Sequence, residues 1–399
     1  MRVVIAGAGL AGLRTAEALR ERGFDGGIVL AGAEAHPPYS RPALSKELLS
    51  GRWEVEDAWL RRPAQGVDSL DVEMLLGRRA VAADVRARRV SFDDGTALSY
   101  DALVIATGSD AVQLPAIPPA PNVFLLRTLD DCLRLRAALS ARPRVTVLGA
   151  GFIGSEVASV ARAMGLDVTL VDRASAPLAH VLGDDVARLC ARLHRDSGVE
   201  LRFGVDVAGV DSDGAGVRRL RLSDGAILDT DLLVVGVGVR PAVAWLQGSG
   251  VHLDDGVVTD ARCRTAVPGV FAVGDVARCH NPLFDAHLRV EHWTNASEQG
   301  TVAAAAILDR APDQEAPTVP YFWSDQHGVK LQMVGHAAGH DAVRTIHHPT
   351  RDDRPVVLYR RGGRVVAAVG FSRPSIVMRM KSLIAARTEW DAAVAAALA

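Results

Sequence analysis

The stretch Arg2-Val-Val-Ile-Ala-Gly7-Ala-Gly9-Leu10-Ala11-Gly12-Leu13 decides the fold of this chain. An apolar run typical of a β-strand leads into a glycine-rich turn, and a helix is expected from Arg14 to Arg22. In such a turn the first glycine permits a tight bend, the second lets the backbone approach a pyrophosphate, and the third lets helix and strand pack closely. The N-terminus of the helix would offer N–H groups and a positive dipole to phosphates.

An acid follows at the distance that nucleotide binding requires. A second strand is expected at Gly27-Ile-Val-Leu30, and Glu34 comes just after it, where a carboxylate can accept a hydrogen bond from a ribose hydroxyl. A single glycine motif is weak evidence, because glycine turns are common. Strand, helix, strand and acid occur here in the right order, so the sequence predicts dinucleotide binding.

The same unit occurs a second time, at Arg144-Val-Thr-Val-Leu-Gly149-Ala-Gly151-Phe152-Ile153-Gly154-Ser-Glu156. The helix is expected to run to about Met164, and a strand from Asp167 to Val171 should end at Asp172, where the ribose acid belongs. Two complete copies are much more specific than one. The carboxylate of Asp172 favours NADH, because it would repel the 2′-phosphate of NADPH, although the neighbouring Arg173 could pair with that phosphate.

Composition narrows the class of protein. The chain has 399 residues, of which 49% are hydrophobic, and this suits two or three α/β domains with buried parallel strands. A formal net charge of −2 argues against nucleic acid or an anionic membrane as the main partner. Four cysteines without CxxC spacing indicate a reduced, cytoplasmic protein rather than a disulfide scaffold or zinc ribbon, so no metal site is expected. No targeting signal or membrane-spanning run is visible.

The segments outside the two motifs are predicted to form mainly β-strands. Strands are expected at residues 85–92 and 98–105, joined by the turn at residues 93–95, and a buried strand is expected at residues 267–274. A helix should follow from Trp293 to Ala306. The C-terminal part of the chain is expected to form an α+β module without a phosphate loop. Its four strands are expected at residues 329–334, 342–346, 356–359 and 365–371, and two helices should follow, the first at residues 376–386.

Taken together, these residues resemble the flavin-dependent ferredoxin reductases, which have the glutathione-reductase-like fold with two dinucleotide sites and serve oxygenases and cytochromes P450. The resemblance covers essentially the whole chain. Besides the two fingerprints, it is carried by Pro38-Tyr-Ser-Arg41-Pro-Ala-Leu-Ser-Lys46, Ala106-Thr107-Gly108, Gly238-Val-Arg-Pro241, Gly274-Asp275, Glu291-His292-Trp293-Thr-Asn-Ala296 and Tyr321-Phe-Trp323-Ser-Asp-Gln326. The resemblance implies an α/β fold with an FAD-binding domain at 1–108 and 238–312, an NAD(P)H-binding domain at 109–237, and a C-terminal α+β domain at 313–399.

The resemblance also implies roles for individual residues. The first fingerprint and Glu34 would hold the ADP half of FAD, with Val81 beside the adenine and Arg127 on the phosphate side. Arg41 and Lys46 would be neighbours of the flavin, although composition alone also allows a surface loop with two solvated cations. Asp275 would hold the ribityl chain, His292 and Trp293 would face the pyrimidine edge, and Trp323 would lie near the ring system. The remaining positions of the matching motifs, Ala106, Thr107, Gly108, Gly238, Gly274, Glu291 and Ala296, are expected to line the cofactor.

Catalysis is expected to involve Lys46, Glu156 and Trp323. An ion pair between Lys46 and Glu156 would hold the lysine beside the flavin N5, where the hydride arrives. The alternative for Glu156 is an ordinary acid at a helix N-terminus, favoured by the dipole. Hydride transfer requires two dinucleotide sites that face each other across a crevice.

The resulting hypothesis is an NADH-dependent reductase of a small iron–sulfur ferredoxin, monomeric or dimeric. The alternatives are a rubredoxin reductase and a redox-switched flavoprotein of the apoptosis-inducing-factor type. A disulfide reductase or an oxidase of the cysteine-sulfenate kind is disfavoured, because no cysteine is placed for it. Residues 344 to 387 contain two acids, Asp352 and Asp353, and ten lysine or arginine residues, at positions 344, 351, 354, 360, 361, 364, 373, 379, 381 and 387. This excess of positive charge indicates either a solvated basic surface or a surface that guides an acidic ferredoxin.

Overall fold

The structure, a computed structural model, describes residues 1–61, 70–214, 216–309, 318–348, 350 and 354–398. The chain divides into two packing units. Unit 1 comprises residues 1–40, 56–110 and 240–320, and unit 2 comprises residues 41–55, 111–239 and 321–399. Two short strands, β8 (Ser109–Ala111) and β17 (Val239–Pro241), pair with each other, and each spans a boundary between the units.

The first glycine motif follows the central strand of a parallel sheet in unit 1. The five strands are β1 (Arg2–Ala6), β2 (Gly27–Gly32), β3 (Glu73–Leu76), β7 (Ala102–Ile105) and β19 (Val270–Ala272). Their order is β19-β7-β1-β2-β3, with Val3 beside Ile28 and Val4 beside Leu103. The apolar run of β1 is buried on both faces, as a parallel strand under helices requires.

The described residues of unit 1 also form two smaller sheets and two α-helices. The antiparallel strands β4 (Ala80–Asp84), β5 (Arg89–Phe92) and β6 (Ala97–Ser99) form one sheet, and β18 (Val257–Thr259), β20 (Ala277–Asn281) and β21 (Ala286–Arg289) form the other. The helices are α1 (Leu10–Glu21) and α5 (Trp293–Ile307). Gly300 of α5 lies against the backbone of α1, where a Cβ would approach Ala11 O to 2.9 Å. The glycine therefore allows the two helices to pack closely.

Unit 2 repeats the plan around the second motif. Its parallel strands are β9 (Val123–Phe124), β10 (Val145–Leu148), β11 (Val168–Asp172), β12 (Glu200–Phe203) and β16 (Leu232–Val235), in the order β12-β11-β10-β16-β9. The helices are α2 (Leu129–Ser140), α3 (Phe152–Ala163) and α4 (Ala179–Asp196). The strands β13 (Val207–Asp213), β14 (Gly216–Leu222) and β15 (Ile227–Asp229) form an antiparallel sheet. The strand before each glycine loop is again central, so the two units share one Rossmann-like arrangement.

The C-terminal module of unit 2 is an antiparallel sheet with helices. Its strands are β22 (Tyr321–Gln326), β23 (Val329–Gly335), β24 (Ala342–Ile346), β25 (Val356–Arg361) and β26 (Arg364–Phe371), followed by α6 (Pro374–Ala385) and α7 (Trp390–Leu398). The sheet order is β22-β23-β26-β25-β24. A Cβ at Gly370 of β26 would lie 2.4 Å from a methyl of Val377, so α6 packs directly on this strand.

The predicted α/β class with two Rossmann-like regions and an α+β module is confirmed, whereas some element bounds were wrong. The strand expected at residues 98–105 is two strands, because β6 pairs with β5 whereas β7 joins the parallel sheet, with Tyr100 and Asp101 between them. The strand expected at residues 85–92 begins only at Arg89, because Asp84 accepts hydrogen bonds from two backbone N–H groups of a turn. Among the elements that were not predicted from the sequence are α4, β3, β20, β21 and β22.

Candidate functional site

The first glycine loop has the geometry of a phosphate-binding turn. Gly7 has φ +128°, and a Cβ there would meet Ala106 O at 2.0 Å; at Gly12 it would meet Gly7 O at the same distance. At Gly9 a Cβ would meet nothing within 4 Å. Gly7 and Gly12 are therefore fixed by packing within unit 1, whereas the backbone at Gly9 is open to a ligand.

The N-terminus of α1 is suited to an anion. Gly9 is its N-cap and supplies no side-chain hydrogen bond, and the first turn, which includes Leu10 and Ala11, contains no acid. Its backbone N–H groups thus keep their capacity to bind phosphate oxygens. The residues present fit the pyrophosphate of a dinucleotide.

Glu34 and Val81 are the residues of unit 1 that were expected beside the ribose and the adenine of FAD. The buried Tyr39 hydroxyl donates to Oε2 of Glu34 at 2.6 Å and so orients the carboxylate. The sequence carried no signal for this contact. Val81 lies at the bulge of β4 between the register positions of Ala80 and Ala82, and its side chain is 45% exposed. A bulge of this kind redirects a side chain out of the strand pattern.

A second turn of unit 1 packs on the same loop. Gly274 has φ +76°, and a Cβ there would lie 2.9 Å from Ala11 and 3.8 Å from Ala296. The Gly274 N–H donates to Oε1 of the buried Gln299 at 2.8 Å, which fixes the Gly274-Asp275 turn. Gln299 was missed by the sequence analysis, since a glutamine in a helix gives no signal of this function.

His292 lies at the start of α5 in the electrostatic field of Asp275. Burial lowers the pKa of His292 to about 4, and the Asp275 carboxylate opposes that shift. The imidazole is therefore neutral at physiological pH. Trp293 begins α5 and is partly exposed, whereas the exposed Glu291 forms an ion pair with Arg289.

The remaining expected residues of unit 1 are at the end of β7. Ala106 contacts the Gly7 backbone, and the Thr107 hydroxyl donates to Ala242 O at 2.9 Å. Gly108 O accepts a hydrogen bond from Ala242 N, also at 2.9 Å. The structure thus brings together, within unit 1, the first loop, the turn after β7 and the Gly274 turn.

The second glycine loop, in unit 2, reproduces the first. A Cβ at Gly149 would lie 2.3 Å from Gly236 O, and one at Gly154 would lie 1.9 Å from Gly149 O. At Gly151, the N-cap of α3, a Cβ would again meet nothing within 4 Å, and the first turn of α3 carries no acid. This loop also fits a pyrophosphate. Ile153 is 41% exposed, and Gly238 is exposed after β16.

Asp172 lies at the end of β11, as expected, and its carboxylate also binds backbone N–H groups of two neighbouring segments. Its Oδ2 accepts a hydrogen bond from Ala150 N at 2.5 Å, and its Oδ1 accepts one from Ala174 N at 2.7 Å. The carboxylate therefore ties the end of β11 to the glycine loop. Each oxygen retains a lone pair that a ribose hydroxyl could use. Arg173 is exposed next to it.

Lys46 and Glu156 form a buried ion pair within unit 2. Lys46 Nζ donates to Glu156 Oε2 at 2.7 Å, and both residues are less than 10% exposed. The Ser45 hydroxyl donates to the same oxygen at 2.5 Å, and the Ser324 hydroxyl donates to Oε1 at 2.6 Å. Three donors thus fix both carboxylate oxygens, so specific side chains hold Glu156 in addition to the dipole of the helix N-terminus.

The strand β22 explains why Ser324, rather than Trp323, contacts Glu156. Side chains alternate along a strand, and Phe322, Ser324 and Gln326 form the buried face. Phe322 packs edge-on against Phe152, with ring centroids 4.5 Å apart. Trp323 lies on the opposite face, stacked on Tyr321 with centroids 6.0 Å apart. The sequence carried no signal that separates these two neighbours.

Arg41 and Arg127 are also brought together. An N–H of the Arg41 guanidinium donates to Arg127 O at 2.7 Å, and the Arg127 N–H donates to Asp131 Oδ2 at 3.2 Å. Arg41 opens a short 3-10 helix (Arg41–Ser45) instead of the α-helix that Pro42 could have started. This helix carries Arg41 and Ser45, and Lys46 follows it.

Two negative findings apply to the part of the chain that the structure describes. No group of three or more His, Cys, Asp or Glu residues there could hold a metal ion. Within the same residues, no helix is both long and apolar enough to cross a membrane.

Comparisons with known proteins agree with this geometry. Residues 1–300 match the family model described as pyridine nucleotide-disulphide oxidoreductase, and residues 321–399 match the model described as reductase C-terminal. The chain is 36% identical to putidaredoxin reductase CamA from Pseudomonas putida, over 96% of this chain and 92% of that protein. It is 38% identical to the ferredoxin–NAD(+) reductase component of the anthranilate 1,2-dioxygenase system of Burkholderia cepacia, over 96% of this chain and 94% of that protein. The crystal structure of a covalent putidaredoxin reductase–putidaredoxin complex superposes with a TM-score of 0.92 at 35% identity, over 97% of this chain and 93% of that one.

Proposed function

The chain belongs to the pyridine nucleotide-disulphide oxidoreductase family, and we propose that it is an FAD-dependent reductase that takes hydride from NADH and passes single electrons to a 2Fe–2S ferredoxin. The acceptor would supply an oxygenase or a cytochrome P450. The observation that carries the proposal is the pair of glycine loops that are open only at their middle glycines, Gly9 and Gly151. A chain with two such loops can hold two dinucleotides.

The cofactors are assigned to the two loops. FAD would be held by the first loop with Glu34 and Asp275, in a domain formed by residues 1–108 and 238–312. NADH would be held by Gly149 to Gly154 and Asp172, in a domain formed by residues 109–237. Residues 313–399 would form the C-terminal domain. The other proposed FAD neighbours are Arg41, Lys46, Val81, Ala106, Thr107, Gly108, Arg127, Gly238, Gly274, Glu291, His292, Trp293, Ala296 and Trp323.

When bound, the flavin supplies two-electron acceptance and one-electron release. The protein's contribution is electrostatic. Glu156 holds the Lys46 ammonium at a fixed, water-poor position, and a fixed cation of this kind favours negative charge on a neighbouring reduced ring. The neutral His292 supplies a polar ring without adding a second buried cation.

The two cysteines of unit 2, Cys132 and Cys190, do not support the thiol chemistry that other flavin reductases use. Burial raises the pKa of Cys132 to about 11 and that of Cys190 to about 12, so neither is a ready nucleophile. In this proposal electrons leave the flavin directly, as a one-electron iron–sulfur acceptor requires.

The acceptor is proposed to dock near the basic helix α6. Of the ten cations noted in the sequence, Arg351 lies outside the described residues, as do Asp352 and Asp353. Arg360 and Arg364 form ion pairs with Asp341 and Glu389. On α6, Arg379 and the adjacent Met378 are exposed and Lys381 is partly exposed, so this helix presents two cations beside an apolar side chain.

Preference for NADH rests on Asp172. Its carboxylate is held at the end of β11, where a hydroxyl can donate to it and a phosphate would be repelled. The comparison to make is kcat/KM for NADH and NADPH in the wild type and in Asp172→Asn, which keeps one acceptor oxygen for the loop. We expect NADH to be preferred and the ratio to fall in the variant. A wild-type ratio near one would contradict the assignment.

The proposed function is tested by the absorption spectrum and by turnover. The purified protein should be yellow with two visible bands and should bleach with NADH in the absence of oxygen. It should then reduce a 2Fe–2S ferredoxin at a rate that saturates with ferredoxin concentration. A colourless protein, or a flavoprotein that reduces rubredoxin but no ferredoxin, would refute the proposal.

A further inference from the structure

The four cysteines of this chain fall into two kinds. Cys132, on α2, and Cys190, on α4, belong to unit 2 and are fully buried. Cys263 and Cys279 belong to unit 1 and pack in the same apolar cluster. The Cys263 thiol makes a hydrogen bond with the sulfur of Cys279. This second pair brings two cysteines to the same turn, because the Asp260 carbonyl accepts from the Cys263 N–H and from the Cys279 thiol.

The backbone holds the two sulfurs together. Cys263 lies in the turn after β18, where its N–H donates to Asp260 O at 3.0 Å. Cys279 is on β20, opposite Thr259 of β18, and its thiol donates to the same Asp260 carbonyl, also at 3.0 Å. One turn therefore positions both residues.

The two thiols differ in access and in acidity. Cys263 is 1% exposed, whereas Cys279 is partly exposed. The hydrogen bond from the Cys263 thiol lowers the pKa of Cys279 below its ordinary value, whereas burial raises the pKa of Cys132 and Cys190. Since the thiolate is the nucleophile, Cys279 is the cysteine that an oxidant should reach first, with Cys263 as its neighbour.

We propose that Cys263 and Cys279 form an oxidation site at which hydrogen peroxide produces an intrachain disulfide. The Cys279 thiolate attacks the O–O bond, an S–O bond forms, and the leaving hydroxide takes a proton to become water. The Cys263 sulfur then attacks the sulfenic acid of Cys279, an S–S bond forms, and the S–O bond breaks. The departing hydroxide takes the Cys263 proton, so two thiols and one peroxide give one disulfide and two waters.

The site lies beside the turn assigned to the flavin, although the oxidation does not depend on that assignment. The Cys263 thiol also contacts Gln299 O at 3.8 Å, and the Gln299 side chain holds the Gly274 N–H. The disulfide would replace that thiol contact and tie the turn after β18 to β20.

Mass spectrometry of the full-length purified protein tests the proposal. After treatment with a few equivalents of hydrogen peroxide and alkylation, we expect a loss of two hydrogens and a peptide that links Cys263 to Cys279, both reversed by dithiothreitol. Cys263→Ser should stop at the sulfenic acid, which dimedone traps on Cys279, and Cys279→Ser should prevent the linkage. Cys132→Ser and Cys190→Ser should leave it intact.

The wild-type peptide map needs no variant, so the test does not depend on folding of the mutants. The proposal is overturned if Cys279 is converted to the sulfinic acid without a cross-linked peptide. It is also overturned if Cys132 or Cys190 loses its alkylation as fast as Cys263 and Cys279.

Discussion

Lys46 and Glu156 lie 110 residues apart in the chain and are joined by an ion pair of 2.7 Å that is almost completely buried. Ser45 and Ser324 complete the hydrogen bonds of the carboxylate. Removing one partner of a buried pair generally costs about 3–5 kcal/mol, because the other charge is left without compensation. The pair is therefore expected to be sensitive both in stability and in function.

Glu156→Gln should slow reduction of the flavin by NADH about tenfold or more, since Lys46 loses the anion that fixes its position. The measurement is stopped-flow bleaching of the flavin at saturating NADH. Glu17→Gln is the matched control, because Glu17 is also buried and paired, with Arg14 and Arg61 in unit 1. The control should lose stability without slowing the bleaching. Equal rates in Glu156→Gln and the wild type would contradict the proposed role.

Ser324→Ala should lower the free energy of unfolding by about 1–3 kcal/mol, because a buried carboxylate oxygen loses a charged hydrogen bond. Ser155 gives a close comparison, since it is buried beside Glu156 and its hydroxyl has no partner among the described residues. Ser155→Ala should be nearly neutral. Urea unfolding measures both variants, and equal losses would show that Ser324 acts only by filling space.

The two glycine motifs were predictable from the sequence because each is a local pattern with glycine at two positions, Gly7 and Gly12 or Gly149 and Gly154, where a Cβ would collide with the backbone. The Lys46–Glu156 pair came from the resemblance, and its hydroxyl donors could not be predicted. Whether Ser324 or Trp323 faces Glu156 depends on the register of β22, which long-range strand pairing determines. Likewise, residues 98–105 look like one strand, and only the pairing partners divide them between two sheets.

Two glycines of the first motif are expected to have different functions: Gly9 leaves space for a ligand, whereas Gly12 allows close packing of the backbone. Gly9→Ala should fold normally but purify with little FAD, because its Cβ fills only the space reserved for the pyrophosphate. Gly12→Ala should destabilise the protein itself, since its Cβ would collide with Gly7 O. The flavin-to-protein ratio and the Tm distinguish the two variants. Full flavin in Gly9→Ala would show that the first loop is misassigned.

The second loop provides the complementary comparison. Gly151→Ala should raise the KM for NADH while the flavin content stays at the wild-type level, and Gly154→Ala should lower the Tm. A loss of flavin in Gly151→Ala would mean that the assignment of the two cofactors to the two loops is reversed.

Neutralising α6 should slow electron transfer to an acidic ferredoxin. Arg379→Gln with Lys381→Gln removes two positive charges, and glutamine keeps a donor for the Ala396 carbonyl that Arg379 contacts at 2.6 Å. We expect a several-fold lower rate of ferredoxin reduction at low salt, a smaller effect at high salt, and unchanged bleaching by NADH. Arg192→Gln with Arg195→Gln on α4 removes the same charge and should have little effect. Equal effects of the two double variants would mean that the net charge of the protein, and not a docking surface on α6, determines the rate.

Acid sensitivity should depend on a buried pair of histidines. His194 Nδ1 and His327 Nε2 lie 2.9 Å apart, and His194 is fully buried. Burial lowers the pKa of His194 to about 3, and the neighbouring His327 lowers it further. Burial lowers the pKa of His327 to about 4, and the positive charge of Arg162 contributes to this shift. Both rings are therefore neutral in the folded protein at pH 5, whereas histidines of the unfolded chain are mostly protonated there.

The sign of the pH dependence follows from this difference in proton binding. Because the unfolded state binds more protons between about pH 4 and pH 6.5, the free energy of unfolding falls as the pH decreases through that range. For His194 the loss at pH 5 is about 2 kcal/mol, and the more exposed His327 adds less. His194→Asn keeps a hydrogen-bonding atom near the position of Nδ1 but removes the titration. Urea unfolding at pH 7 and pH 5 should therefore show a smaller fall in this variant than in the wild type or in the surface variant His252→Asn. An equal fall in all three proteins would mean that other groups determine the acid sensitivity.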